Sequence, residues 1–194
     1  MRPTGHQVLL DAARHEFAER GYTGTSVREI ARRAGMSLSA MYHYYSGKEE
    51  LLAALVDESS QAFFTACHEA LDKVGDDPGE RLAAMVRATV RWRAERRLES
   101  NLLITEWRSL SEERREANRK QQHDGSALFK QIVQEGVDQG VFRTPYPDDA
   151  RRSVIAMCNA VAQWYRDDGE LSVDELTERY VQLALVLVEW RPRA

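Results

Sequence analysis

Cys67, His68 and Glu69 stand in a row and carry a thiol, an imidazole and a carboxylate, all side chains that bind transition metals. On a helix, adjacent residues point about 100° apart, so the three cannot converge on one ion. No metal site is expected there. The other cysteine, Cys158, could join Cys67 in a thiol switch only if their α-carbons came within about 7 Å, which spacing along the chain leaves open. No C-x-x-C, H-E-x-x-H, G-x-G-x-x-G or Walker loop occurs, and no nucleophile and base stand at a recognisable spacing. The sequence therefore predicts no catalytic residue and no cofactor.

The elements that position these side chains are helices. The chain has 194 residues, with 27 Lys and Arg against 31 Asp and Glu and 43% hydrophobic residues. A chain of that length buries well over half of the surface its unfolded form exposes, so it folds without staples. The charges are balanced and interspersed, which argues against disorder and against a protein that coats a polyanion. With 11 Gly and 5 Pro, turns are too few for a sandwich or barrel, while long Ala, Leu, Glu and Arg stretches favour helices. The longest aliphatic run, Leu183 to Val188, falls far short of the roughly 20 residues of a membrane span, and no apolar targeting segment follows Met1. An all-α, cytoplasmic protein with reduced thiols is expected.

Local punctuation divides it into about nine helices. The first runs from His6 to Arg20 and stops at Gly21. Ser26 to Glu29 reads as a capping box that opens the second, Gly35 ends it, and Ser37 caps a short third helix through Tyr44. Ser46-Gly47-Lys48-Glu49 reads as another capping box, opening a helix from Lys48 to Val74. Asp77 and Pro78 start the next, from Gly79 to Arg97. Helices over 100–109, 111–139, 148–167 and 172–190 follow, the last behind the box Ser172 to Glu175.

Residues 25 to 52, TSVREIARRAGMSLSAMYHYYSGKEELL, have the pattern of a helix-turn-helix. Ala31 is small where the two helices cross, and Gly35 makes the turn. Ile30, Ala34, Met36 and Met41 fall on inward faces against Val8, Ala12 and Phe17 of the first helix. Up to Lys48 the chain holds seven Lys or Arg against Asp11, Glu16, Glu19 and Glu29, a net +3, so the remainder carries −7. A DNA-reading module on an acidic body shows this asymmetry. Many helical hairpins have Ala and Gly at such spacing, so the pattern alone leaves a plain hairpin open.

The same stretch resembles the DNA-binding domain of the TetR family of bacterial repressors. Thr25, Ile30, Ala31, Ala34, Gly35, Ser37, Tyr42, Lys48 and Leu51 match the family pattern; Leu38, Tyr44, Tyr45 and Gly47 depart from it. By position, Thr25, Ser26 and the backbone N–H groups at the start of the second helix suit a phosphate oxygen, with Arg28 as a further phosphate candidate. Ser37, Leu38, Ser39, Ala40 and His43 lie on or near the groove-facing side of the recognition helix. Leu38 there could touch thymine methyls but cannot donate a hydrogen bond. Tyr42 and Lys48 would clamp phosphates, as the resemblance implies, while Arg32 and Arg33 are read as a solvated face.

The resemblance divides the chain into a DNA-binding domain, 1–47, and an effector-binding and dimerisation domain, 48–194. It implies an effector pocket within the fourth to seventh helices and pairing of the last two helices with a second subunit. Phe63, Phe64, Cys67, Trp92, Trp107, Phe129, Ile132, Val133, Met157, Val161 and Trp164 could line the pocket, although helical aromatics are ordinarily core. The eighth and ninth helices are apolar on more than one side, and such a helix needs two partners. Ile155, Ala162, Tyr165, Leu176, Tyr180, Leu183 and Leu187 are the candidates for a two-fold interface; a wholly internal core is the alternative.

The segment NAVAQWYRDDGELSVDELTERYVQLAL is similar to the C-terminal region of family members that govern fatty-acid, steroid or branched-chain catabolism and sense acyl-CoA thioesters. Arg91, Arg93, Arg108 and Arg166 are available for the phosphates of such an effector. The expected protein is a homodimeric repressor bound to a palindromic double-stranded DNA operator and released by a small apolar or acyl-CoA effector. Its long fourth helix would join pocket to reading head. An all-α enzyme or binding protein using the same cavity, and a constitutive DNA-binding dimer without effector, are the alternatives.

Overall fold

The computed structural model describes residues 4–192, without the side chains at 121, 122, 124 and 125, so the expected domain ends at 1 and 194 lie outside the described residues. Nine α-helices and one 3₁₀ turn form among them: α1 (Gly5–Gly24), α2 (Val27–Arg33), α3 (Leu38–Tyr44), α4 (Lys48–Leu71), α5 (Pro78–Glu95), α6 (Arg97–Ile104), the 3₁₀ turn Glu106–Ser109, α7 (Glu112–Asp138), α8 (Pro147–Trp164) and α9 (Val173–Leu187). The fold is all-α, and an isolated bridge among the described residues pairs Phe142 with Trp190. The helices gather into two compact units, Met1–Ser60 with Leu98–Arg119 and Gln61–Arg97 with Lys120–Ala194. This differs from a division at residue 48, because Leu51, Leu52, Leu55 and Val56 of α4, with Leu102 and Leu110, join the core built on α1.

In the first unit, Thr4 caps α1 by accepting from the Gln7 N–H, and Gly21 at φ 69° breaks the helix where the sequence predicts, before a last turn to Gly24. Ser26 and Glu29 make the reciprocal capping box of α2. At its other end Met36 N–H donates to Ala31 O and Gly35 N–H to Arg32 O, with Gly35 at φ 65°. This double closure requires a left-handed residue at Gly35. The box predicted at the start of α4 is present only as its back-reaching half, and from a different glutamate. Glu50, not Glu49, reaches back to accept from the Ser46 N–H at 2.6 Å, while Glu49 accepts from the Ser111 N–H.

An ion pair with one buried partner, Glu16, bolts α1 to α2. Glu16 Oε1 accepts from Arg33 Nε at 2.7 Å, and Arg33 Nη2 reaches Glu19 at 2.7 Å, so Arg33, on an exposed face as expected, is also an ion-pair partner. The pair is unequal, since the Glu16 side chain is 2% exposed and that of Arg33 35%. Removing Arg33 strands a buried carboxylate near only Arg20; removing Glu16 leaves a cation that water and Glu19 still hold. Arg33→Met is expected to lower the midpoint of urea unfolding, because it strands the buried Glu16 carboxylate. Glu16→Gln should cost clearly less, and equal losses would contradict this account.

The second unit is organised on α5, which packs against α8 and α9. Asp77 caps it by accepting from the Glu80 N–H, with Pro78 in the first turn. Leu82, Val86, Val90 and Ala94 of α5 lie in one core with Val154, Cys158 and Val161 of α8 and Leu176, Val181 and Ala184 of α9. The α7 end lies under the Phe142 ring, which occupies the space that a Cβ on Gly136 would take. Several helices stop earlier than their periodicity suggests. The α9 helix ends at Leu187 because Glu189 takes φ 50°; Trp190 N–H then donates to Leu185 O, and Arg191 N–H to Val141 O. The α8 helix ends at Trp164, after which Tyr165 turns extended and its hydroxyl donates to Leu171 O at 3.2 Å.

Candidate nucleic-acid interface and sensor core

The α3 helix shows one face to the core and the other outward. Met41 and Tyr45 are buried four residues apart, and Leu38, three before Met41, is partly buried against the same core. Leu38 is thus half-buried, as Ala40 is, rather than fully exposed. Ser39, Tyr42 and His43 are exposed on the other side, with Ala40 half-buried. Exposed Ser37 caps the helix, its Oγ accepting from the Ala40 N–H at 3.1 Å and keeping its proton to donate. Tyr44, which the pattern reading passed over as a departure, is also an exposed aromatic here.

The second group of predicted contacts has other tasks. Thr25 is buried, and its hydroxyl donates to Glu16 O at 3.0 Å and Gly21 O at 2.9 Å, so that proton is not offered to a phosphate. Ser26 gives its hydroxyl proton to Glu29 Oε2 at 2.8 Å and its N–H to the same oxygen at 2.9 Å. Those bonds, with Arg20 nearby, hold the Glu29 carboxyl below the usual carboxylate range, so a carboxylate occupies the start of α2. Lys48 Nζ donates to Tyr22 O at 2.8 Å and Thr25 O at 3.0 Å and lies over the Tyr22 ring, tying the ends of α1 and α2 together. Arg28 and Arg32 are exposed and make no ion pair among the described residues.

In the second unit, Cys67, Phe129, Ile132, Val133 and Val161 are buried in the core, with Phe63 and Met157 packed against it. The Phe63 ring stands 5.5 Å from Phe64 and 5.9 Å, edge to face, from buried Trp92. Two of the predicted lining residues are not with these. Trp107 lies in the 3₁₀ turn of the first unit, and Trp164 is exposed. Burial pushes the thiols of Cys67 and Cys158 up to about 11 and about 12, so both are neutral at pH 7. His68 and Glu69 are exposed while Cys67 is buried, and among the described residues no three His, Cys, Asp or Glu side chains could hold a metal ion.

The four arginines also separate. Arg91 pairs with Glu95 and Asp174, Arg108 lies by Trp107 in the first unit, Arg166 is exposed, and Arg93 is buried. A groove of about 480 Å³ runs along α4 and α5, floored by Ala66, Ala70, Ala84, Ala88 and Trp92 and rimmed by both charge signs.

Residues 9–55 match the family model described as bacterial regulatory proteins of the tetR family, and residues 75–188 match that of the tetracyclin repressor-like C-terminal domain. The chain belongs to the TetR family of bacterial regulators. Its helix-turn-helix is the DNA-binding head of a transcriptional regulator. This TetR-family chain is 27% identical over 182 residues to the HTH-type transcriptional repressor KstR2 of Mycobacterium tuberculosis, covering 91% of this chain and 89% of the relative. A tetR-family regulatory protein from Rhodococcus RHA1 superposes with TM-score 0.90 at 28% identity, over 98% of this chain and all of the other. AibR, solved in complex with isovaleryl coenzyme A and operator DNA, shares the fold with TM-score 0.86 at 22% identity, over 97% and 100% of the two chains.

The last two helices of this TetR-family regulator do carry two apolar faces, but not with the expected membership. Ala162, Tyr165 and Leu176 are buried in the chain's own core, so they cannot meet a partner; Ile155 and Tyr180 are half-buried against that core. The outward stripe comprises Leu183, Val186 and Leu187 on α9 and Trp164 on α8, beside small Ala156 and Ala160. Val186, absent from the expected set, is 72% exposed. Among the described residues, no helix is long and apolar enough to cross a membrane.

Proposed function

We propose that this TetR-family regulator is a cytoplasmic homodimeric repressor that reads a palindromic operator with α3 and is released by a small apolar or acyl-CoA effector held in its second unit. The exposed face of Ser39, Tyr42 and His43, with Ser37 at its leading end, carries the reading. Ser37, Ser39, Ala40 and His43 contact base edges; Tyr42, Arg28 and Arg32 hold phosphates. Thr25, Ser26 and Lys48 act one step back by fixing α1, α2 and α3 to one another. Leu183, Val186, Leu187 and Trp164 form the two-fold interface, which the symmetry of a palindrome mirrors.

Phe63, Phe64, Cys67, Trp92, Phe129, Val133, Met157 and Val161 surround the effector. The likeness to a repressor of the KstR2 type along nine-tenths of the chain, and in fold to AibR with its isovaleryl coenzyme A and operator DNA, supports an acyl-CoA as the first class to try. Release works by population shift, in which the effector binds better to a conformer whose recognition helices are wrongly spaced for one DNA turn. A hundredfold loss of operator affinity needs only about 2.7 kcal/mol of such coupling.

The test is selection of bound fragments from genomic DNA by the purified protein, at two salt concentrations and with a panel of acyl-CoA thioesters. The expected result is one palindromic site, bound more weakly at high salt and released by a subset of the panel. Failure to enrich any site would overturn the repressor, and a site that no thioester releases would discard the acyl-CoA.

A further inference from the structure

Arg93 stands in the last turns of α5 and is only 6% exposed. Its Nε donates to the neutral amide Oδ1 of Asn159 at 3.1 Å, and its guanidinium lies 4.7 Å from the Phe63 ring centre. Its Nη1 is fully buried and has no hydrogen-bond partner, and no carboxylate pairs with it among the described residues. Arg87 and Arg91 on the same helix are, by contrast, each paired with carboxylates. Burial pulls the guanidinium of Arg93 down to about 10, so it stays cationic at neutral pH, and the buried thiols near it supply no negative charge. An unpaired charge in a protein interior is strongly unfavourable, and side chains in such a state are ordinarily paired or neutralised. Next along the helix, Trp92 Nε1 is a second buried donor without a partner.

We propose that Arg93 anchors the effector by binding a carboxylate carried on the effector's buried end. This inference rests on the effector-released reading above and names the chemistry that reading leaves open. The terminal edge of the guanidinium matches the two oxygens of a carboxylate, with Asn159 fixing Nε and Phe63 backing the flat face. One cation among thiols and aromatics balances a single negative charge. The phosphates of a coenzyme carry several charges and would need more cations or water, so they lie elsewhere. The effector is therefore an acid, either free or as the far carboxylate of a thioester, and an uncharged isostere binds much more weakly.

The experiment titrates the intact protein with matched probes, following tryptophan fluorescence and calorimetry: glutaryl-CoA against valeryl-CoA, octanoate against methyl octanoate, and inorganic phosphate as the other anion. In the wild type one acid should bind about ten- to a hundredfold more tightly than its uncharged match, the range expected of a charge-assisted hydrogen bond. Arg93→Met should abolish that preference, and Arg93→Lys should retain part of it. A second readout needs no ligand. Replacing an unpaired buried charge by a side chain of similar volume should raise the melting temperature of ligand-free Arg93→Met by about 2–4 °C.

Equal binding, or equal failure to bind, of acid and uncharged match in the wild type would overturn the proposal. So would phosphate as the tightest probe, preference retained in Arg93→Met, or a lowered melting temperature of that variant. Uncharged compounds that release operator from the wild type would leave the repressor standing and remove Arg93 from its anchor role. Absence of any operator would remove the repressor and leave the acid titration to decide on Arg93 alone.

Discussion

Tyr42→Ala should weaken operator binding by about a hundredfold or more while leaving the melting temperature and helical content nearly unchanged. Tyr42 is 50% exposed, so truncation opens no cavity in the core. A hydrogen bond to a charged group contributes about 1.5–3 kcal/mol, and in a two-fold complex the residue appears twice, giving about 3–6 kcal/mol in all. Tyr42→Phe separates the hydroxyl from the ring and should account for most of the loss. Fluorescence anisotropy with the selected operator checks both. Unchanged affinity of a folded Tyr42→Ala protein would sink the assignment of α3 as the reading helix.

Lys48 illustrates why position in a motif and role in the fold can diverge. Its place in the family pattern suggests a phosphate clamp, yet two of its three ammonium protons go to the carbonyls of Tyr22 and Thr25, and the charge lies over the Tyr22 ring. Nothing within a few residues of Lys48 announces those partners, which come from the far end of α1. The same holds for Glu16 and Arg33, whose pairing joins residues 17 positions apart.

Signals that act within four residues were legible. The boxes at Ser26 and Ser172, the Ser37 and Asp77 caps and the left-handed Gly35 each depend on side-chain and backbone geometry inside one turn. Faces were harder, because a helix that is apolar on two sides does not reveal which side its own chain covers. Ala162, Tyr165 and Leu176 turned inward for that reason, and Val186 and Trp164 turned outward. Helix ends set by a remote partner, such as Tyr165 on Leu171 or Trp190 on Phe142, carried no local signal either.

The largest loss of operator binding should come from the outward stripe on α9. Leu183→Glu combined with Val186→Asp places two carboxylates where side chains 51% and 72% exposed now stand. In the isolated chain neither charge is buried, so each subunit should keep its helical content and fold. In a two-fold interface the pair becomes four charges pressed against one another and against apolar partners, which the interface cannot hold. Analytical ultracentrifugation should show a monomer. Operator affinity should fall by about 10²–10⁴, the advantage lost when two half-sites are no longer bound by one linked pair of heads. Leu176→Ala, at a position first expected in the same interface, should behave oppositely. It empties a fully buried site in the chain's own core, so it should cost about 2–5 kcal/mol of folding stability with little change in the monomer–dimer equilibrium of the molecules that remain folded. A dimeric Leu183→Glu/Val186→Asp protein, or a monomeric but stable Leu176→Ala protein, would mean that the subunits meet through a different face of α8 and α9.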